Sequence, residues 1–193
     1  MRLAILDSGH GLGTKALFAL IHAVSRQPVL DVIKLVKYRA DFYGRPMQGV
    51  TQEAMRGPSA WSVGDRELMA ALVAKTNACE WCTKAHTATA EGAYRNEAKV
   101  SAVLSDLETA PIDEPLRAML RAVRKLTREH GVSTDDMRAV LEAGVSREQI
   151  EDALAVCFAF NTVARLADAF GFYAPGRKAF QAGAKYLLAR GYR

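Results

Sequence analysis

Two cysteines stand three residues apart in the run ACEWCTKAH, residues 78–86, and a histidine follows four residues after the second. On a helix this spacing places Cys79, Cys82 and His86 on one side, each about a turn from the next. Thiols so arranged can bind a metal, close a structural disulfide, or run a dithiol–disulfide redox cycle. A closed zinc site on Cys79, Cys82 and His86 wants a fourth ligand, and neither His10, His22 nor His130 stands in a paired ligand motif. A staple across so few residues removes little chain entropy. Redox chemistry is the reading in which all three groups have a task. The amides and positive dipole end of a helix N-terminus favour a thiolate, lowering a thiol from about 8.5 by one to several units. His86 can take the Cys82 proton directly or through one water.

Glu67 is the fourth candidate. Held against His86, its carboxylate would orient the ring and favour its protonated form. An exposed glutamate complementing the dipole at a helix start is the other reading, and the residues alone leave both open.

These residues must be positioned by helices. Ala, Leu, Glu, Arg and Lys recur at 3.6-residue spacing, and no run of alternating β-branched residues appears. The pattern predicts an all-α single domain. One helix is expected over Leu17–Val24 and a second from near Pro28 to Gly44. Residues 44–62 read as loop with at most a short helical turn, because glycine and proline punctuate them. A helix from Asp65 to about Lys75 is interrupted by Thr76 and Asn77. Asn77 with Glu80 three residues on reads as a capping box, which starts the next helix at Ala78, puts Cys79 at its second position and carries it to about Tyr94. Ala70, Ala71 and Ala74 allow that helix to approach closely. Pro115 and Gly131 bracket another helix, Ser133 and Gly144 a short one, and Ser146 with Gln149 opens a long apolar one ending at Gly171. The last covers about Arg177–Ala189.

At this point the four residues become recognisable together. Glu67, Cys79, Cys82 and His86 form E-x11-C-x2-C-x3-H, which resembles the AhpD-like alkylhydroperoxidases of the carboxymuconolactone decarboxylase superfamily. The run RELMAALVAKTNACEWCTKAHTATA is similar to that family's core, and SREQIEDALAVCFAFNTVARLADAFG to the downstream helix of its peroxidase-related branch. The resemblance divides the chain into a helical extension over 1–27, an AhpD-like core over 28–171, and a helix over 172–193 packing on the core or a neighbouring subunit. It implies an AhpD-like helical bundle assembled as a trimer or hexamer. It also implies Cys82 as the attacking thiolate, Cys79 as proton donor and resolving thiol, and His86 and Glu67 as proton relay. The dipole argument alone favours Cys79 as the more acidic thiol. AhpD itself carries a second histidine between the cysteines, where this chain has Trp81. The superfamily's decarboxylases lack the cysteine pair, which disfavours that activity.

The expected function is therefore a thiol-dependent peroxidase reducing alkyl or hydrogen peroxides, without metal or organic cofactor. Its reductant would be a dithiol protein, thioredoxin-like or lipoyl-type. The rivals are a disulfide reductase or carrier that never meets peroxide, and a zinc-binding interaction module. The net charge of +5 raises the question of nucleic acid. Arg117, Arg121, Arg124, Lys125 and Arg128 do form a stripe, but with no aromatic platform or nucleic-acid motif it reads as a solvated helix face. No window approaches 18 uninterrupted apolar residues, so no membrane partner is expected. The apolar run over 16–21 lacks a small-residue cleavage site and reads as a helix, which leaves a cytoplasmic location as the default. Cys157 reads as a small buried hydrophobe, His130 as a helix C-cap, Trp81 as packing or a shield for the thiols, and Asp168 as a partner for Arg165 or a neighbouring subunit. Gly9, Gly11 and Gly13 with Lys15 have the wrong spacing for a phosphate loop.

Overall fold

Ser62 and Asp65 exchange hydrogen bonds in a capping box and launch α5 (Val63–Thr76). Gly64 and every residue from Arg66 to Ala74 are buried, so this helix is enclosed on all sides. Gly64 lies under the Tyr94 ring, 2.8 Å from where a Cβ would stand. That close approach lets the end of α6 (Glu80–Tyr94) cross the start of α5, where the Tyr94 hydroxyl donates to Asp65. The two helices form the most extensively packed pair in the molecule, and Ala70, Ala71 and Ala74, all fully buried, supply the small side chains at its centre.

The computed structural model describes residues 2–192, apart from the side chain of Phe42. Among these residues there are eleven α-helices, one π-helical turn and no strand. Ahead of α5 come α1 (Ile5–Ser8), α2 (Leu12–Ser25), α3 (Asp31–Tyr38), the π-turn Ala40–Gly44 and α4 (Arg45–Arg56). After α6 follow α7 (Glu97–Ser105), α8 (Glu114–Glu129), α9 (Thr134–Glu142), α10 (Arg147–Phe170) and α11 (Arg177–Arg190). α10 and α8 pack on α5, and α11 covers the outer side of α6. α10 is long and apolar enough to cross a membrane by length and composition, but Ala153, Val156, Cys157, Ala159, Phe160, Val163, Ala164 and Ala167 bury its inner side in the bundle.

The predicted helical class and the ends of α10 hold: Ser146 and Gln149 form the box, and Gly171 takes the left-handed conformation at φ 61°. His130 caps α8 at φ 61°. Ahead of α5, three expectations change. The stretch read as loop after Gly44 is mostly α4, which starts on Pro46 in its first turn and buries Thr51, Ala54 and Met55. α2 is longer than Leu17–Val24, and none of its residues is buried. The helix expected from Pro28 to Gly44 is α3 followed by the π-turn. The basic stripe on α8 is paired rather than bare. Arg121 and Arg124 bridge to Glu108, Arg117 and Arg121 to Glu114, Lys125 to Asp136 and Arg128 to Glu129.

The joint between α5 and α6 differs most from expectation. Asn77 caps the end of α5 instead of starting α6. Ala78 enters the left-handed region at φ 58°, its amide donating to Lys75 and that of Cys79 to Ala74, both at 3.0 Å. This is a Schellman ending with alanine where glycine is usual. Cys79 is consequently the N-cap of α6, not its second residue, and Cys82 its third helical residue. The Ala78 methyl is exposed, so Ala78→Gly loses no packing and relieves the left-handed cost. It should stabilise the protein by about 1 kcal/mol, read as a higher urea midpoint at unchanged m-value.

Candidate active site

Each of the four residues arrives by a different local reason. Glu67 stands one turn into α5, at a position the bundle encloses completely, with 0% exposure. His86 follows on α6 directly across from it, and its Nδ1 lies 2.8 Å from Glu67 Oε2. A carboxylate only accepts, so Nδ1 carries the hydrogen and Nε2 is the nitrogen left to exchange a proton. The Phe160 ring of α10 meets the imidazole edge to face at 4.2 Å between centroids. Cys79 and Cys82 are fully buried.

The two sulfurs interact with each other. The Cys82 thiol donates toward Cys79 and lowers its pKa; burial raises it, the Cys82 amide lowers it again, and the Asp168 carboxylate raises it. The balance holds Cys79 below the ordinary thiol value. The amide contact falls short of a full capping hydrogen bond but lies on the side of the thiolate. Cys82 is pushed far up, first by its bond to Cys79, then by burial and by the charges of Cys79 and Asp168. Cys79 is thus the more acidic of the two, and the proton left after the pair's first ionisation is centred on Cys82. That is the order the dipole argument favours, whereas the resemblance implies Cys82 as the attacking thiolate. Burial first, then proximity to Cys82, pushes the Tyr43 hydroxyl up to about 12.

Among the described residues His86 and Cys82 share no direct hydrogen bond; the imidazole is hydrogen-bonded to Glu67. Any proton passing between ring and sulfur must travel on a third molecule. Trp81 turns the other way, packing edge to face on Phe172 and Phe180 at 5.4 and 5.7 Å. Its buried Nε1–H has no protein partner.

Four residues at the site were not identified from the sequence. Arg56 donates to Glu67 Oε1 at 2.7 Å and Tyr192 to the same oxygen at 2.9 Å. Tyr43, from the π-turn, faces Cys82. Asp168 faces the thiols rather than pairing with Arg165, whose guanidinium reaches Asn161 instead. The third thiol is as expected: Cys157 is buried, 3.2 Å from Asn161 Nδ2 and 3.6 Å from Thr127 Oγ1, and burial raises its pKa. Asn161 also receives the Asn77 amide at 3.0 Å, which braces the joint ahead of Cys79. No group of three or more metal-ligating side chains exists among the described residues.

Burial alone would raise Glu67, but the hydrogen bond and charge of His86, followed by the Arg56 guanidinium, outweigh it and hold the carboxyl below its ordinary 4.5. The folded value is the lower one. Its stabilising contribution is therefore complete above about pH 4.5 and is lost as pH falls through the folded value. Resistance of the wild type to urea should weaken more steeply as pH falls below about 5 than that of Glu67→Gln, which has no proton to gain.

Residues 43–125 match the carboxymuconolactone decarboxylase family. No functionally curated protein matches the chain. Among solved structures, an uncharacterized peroxidase-related protein from Silicibacter sp. TM1040 superposes with a TM-score of 0.78 at 22% identity, covering 94% of this chain and 95% of that one. A second, described as an alkylhydroperoxidase AhpD core and uncharacterized peroxidase-related protein from Ralstonia eutropha JMP134, gives 0.77 at 21% identity with the same coverage. At such identities the likeness establishes a shared fold.

Proposed function

We propose that this chain, whose residues 43–125 carry the carboxymuconolactone decarboxylase family core and whose fold is AhpD-like, is a thiol-dependent peroxidase. The observation that carries the reading is a hydrogen-bonded dithiol at a helix start beside a buried imidazole–carboxylate pair. Moving one proton along the S–H···S contact leaves Cys79 as thiol and Cys82 as thiolate. That thiolate attacks the hydroperoxide O–O bond, taking the terminal OH as sulfenic acid and expelling an alkoxide or hydroxide. The leaving oxygen takes the Cys79 proton, directly or relayed through the His86 ring that Glu67 orients. The Cys79 thiolate then attacks the sulfenic sulfur, forming the disulfide and expelling hydroxide, which takes a proton from solvent. From the singly ionised pair, the sum is one thiol, one thiolate, one proton and one peroxide giving a disulfide, an alcohol or water, and one further water.

A dithiol protein, thioredoxin-like or lipoyl-type, would restore the thiols by exchange. The same reading takes the protein as a trimer or hexamer. Exposed Leu12, Leu20 and Val24 on α2, 87%, 60% and 78% accessible, support a covering partner copy there. The test is stoichiometric. Reduced protein mixed with cumene hydroperoxide should consume one equivalent and yield a Cys79–Cys82 disulfide by peptide mass. Disulfide exchange with a dithiol protein but no reaction with peroxide would overturn the reading in favour of a carrier.

A further inference from the structure

The turn after α11 carries into the site a residue that neither the thiol motif nor the family segment contains. Gly191 stands at φ 72°, ψ −154°, a conformation essentially reserved for glycine. A Cβ there would lie 2.4 Å from Gln52 Oε1. The turn sends the chain back so that the Tyr192 amide donates to Gln52 Oε1 at 2.7 Å while its phenol donates to Glu67 Oε1 at 2.9 Å. Arg56, one turn after Gln52 on α4, places its guanidinium 5.1 Å from the centre of the Tyr192 ring. It donates to Glu67 Oε1 at 2.7 Å and to the Leu187 carbonyl at 3.2 Å. The Tyr192 ring lies nearly parallel to the imidazole, 6.5 Å away.

Resting on the proposed function above, we propose that Tyr192 and Arg56 are positioning residues that set the proton affinity of His86 by loading the far oxygen of Glu67. A carboxylate facing an imidazole alone in a buried site holds the ring as imidazolium, which can no longer accept a proton. Here Oε1 takes two donors and Oε2 takes one. Arg56 cancels the carboxylate charge, and both donors draw density away from the oxygen that faces His86. The ring can then stay neutral in the resting protein and receive a proton during turnover. The groups facing the pair are few. Arg56 comes from α4 and Tyr192 from the turn after α11; Arg66, on α5, also feels the Glu67 charge together with Arg56, Asp65 and Asp152. Phe160 of α10 brings no charge, and Cys79, Cys82, Tyr43 and Asp168 lie on the sulfur side.

The experiment titrates the His86 imidazole by NMR in the fully reduced protein, with no peroxide present, so its result does not depend on turnover. Tyr192→Phe should raise the titration midpoint by about half a unit to one unit, and Arg56→Gln by about one unit or more. Gly191→Ala, which expels the phenol without altering it, should reproduce Tyr192→Phe. Arg56→Lys should recover part of the shift by restoring the charge. Circular dichroism identifies any Arg56 variant that fails to fold, and Tyr192→Phe then carries the test alone. A midpoint that stays within about 0.2 unit of wild type in folded Tyr192→Phe overturns the proposal even if peroxide is consumed normally. A shifted midpoint in a protein inert to peroxide supports the positioning role while removing the peroxidase reading.

Discussion

Cys82→Ser should lower the rate of peroxide consumption by roughly a thousandfold or more, because the group removed is itself the nucleophile. Cys79→Ser should behave differently. The attacking sulfur remains, so one equivalent of peroxide is consumed, but no partner thiol stands within reach to close the disulfide. Cys82 should accumulate as sulfenic acid, trapped by dimedone and located by peptide mass after unfolding. The contrast between the two variants tests the assignment of roles, which the relative acidities make a real question: the Cys79 thiol is lowered and the Cys82 thiol raised. A serine hydroxyl at position 79 still donates to a Cys82 thiolate but cannot share its charge. Dimedone adduct on Cys79 in Cys82→Ser, with none on Cys82 in Cys79→Ser, would reverse the roles and leave the dithiol chemistry intact.

Glu67→Ala should be the most destabilising single substitution at the site, costing about 3–5 kcal/mol. Its carboxylate, 0% exposed, is the common acceptor for Arg56, Tyr192 and His86. Alanine leaves a guanidinium, a phenol and an imidazole facing a cavity that none of them can satisfy. The Arg56 side chain is 11% exposed, so water relieves it only in part. Glu67→Gln keeps the volume and one acceptor oxygen and should cost far less, while still removing the charge that orients the imidazole. At roughly 2–4 °C per kcal/mol for a protein of this size, Glu67→Ala should lower Tm by about 10 °C. A loss under 1 kcal/mol in urea titration would show that the four groups are not a coupled cluster.

The sequence announces most of the helices and very little of what surrounds Glu67. Ser146, Gln149 and Gly171 mark the ends of α10 because capping boxes and left-handed glycines are local chemistry, written within four residues of the helix end. The α5–α6 joint is equally local but misleading. Its left-handed residue is Ala78, where glycine would have given the signal, so Asn77 with Glu80 looked like the cap and Cys79 was placed two positions too deep in the helix. α4 was hidden by Gly44, Pro46, Gly49 and Gly57, which read as loop until Thr51, Ala54 and Met55 are seen to turn inward. Arg56 and Tyr192 have no local signal at all. They lie 11 and 125 residues from Glu67 in sequence and meet it only through tertiary packing. Asp168 was legible as a charge on an apolar helix, but not as a neighbour of Cys79, because the partner lies across the bundle.

With Cys79 and Cys82 fully enclosed and Cys157 only 2% accessible, a chromogenic thiol reagent added to the folded protein will count almost nothing. A wholly reduced sample will therefore pass for an oxidised one unless it is unfolded first. In native buffer the slow appearance of colour is instead a clock for breathing: each labelling event requires the seam between two helices to part, and its rate divided by that of a free thiol gives the population of the parted form.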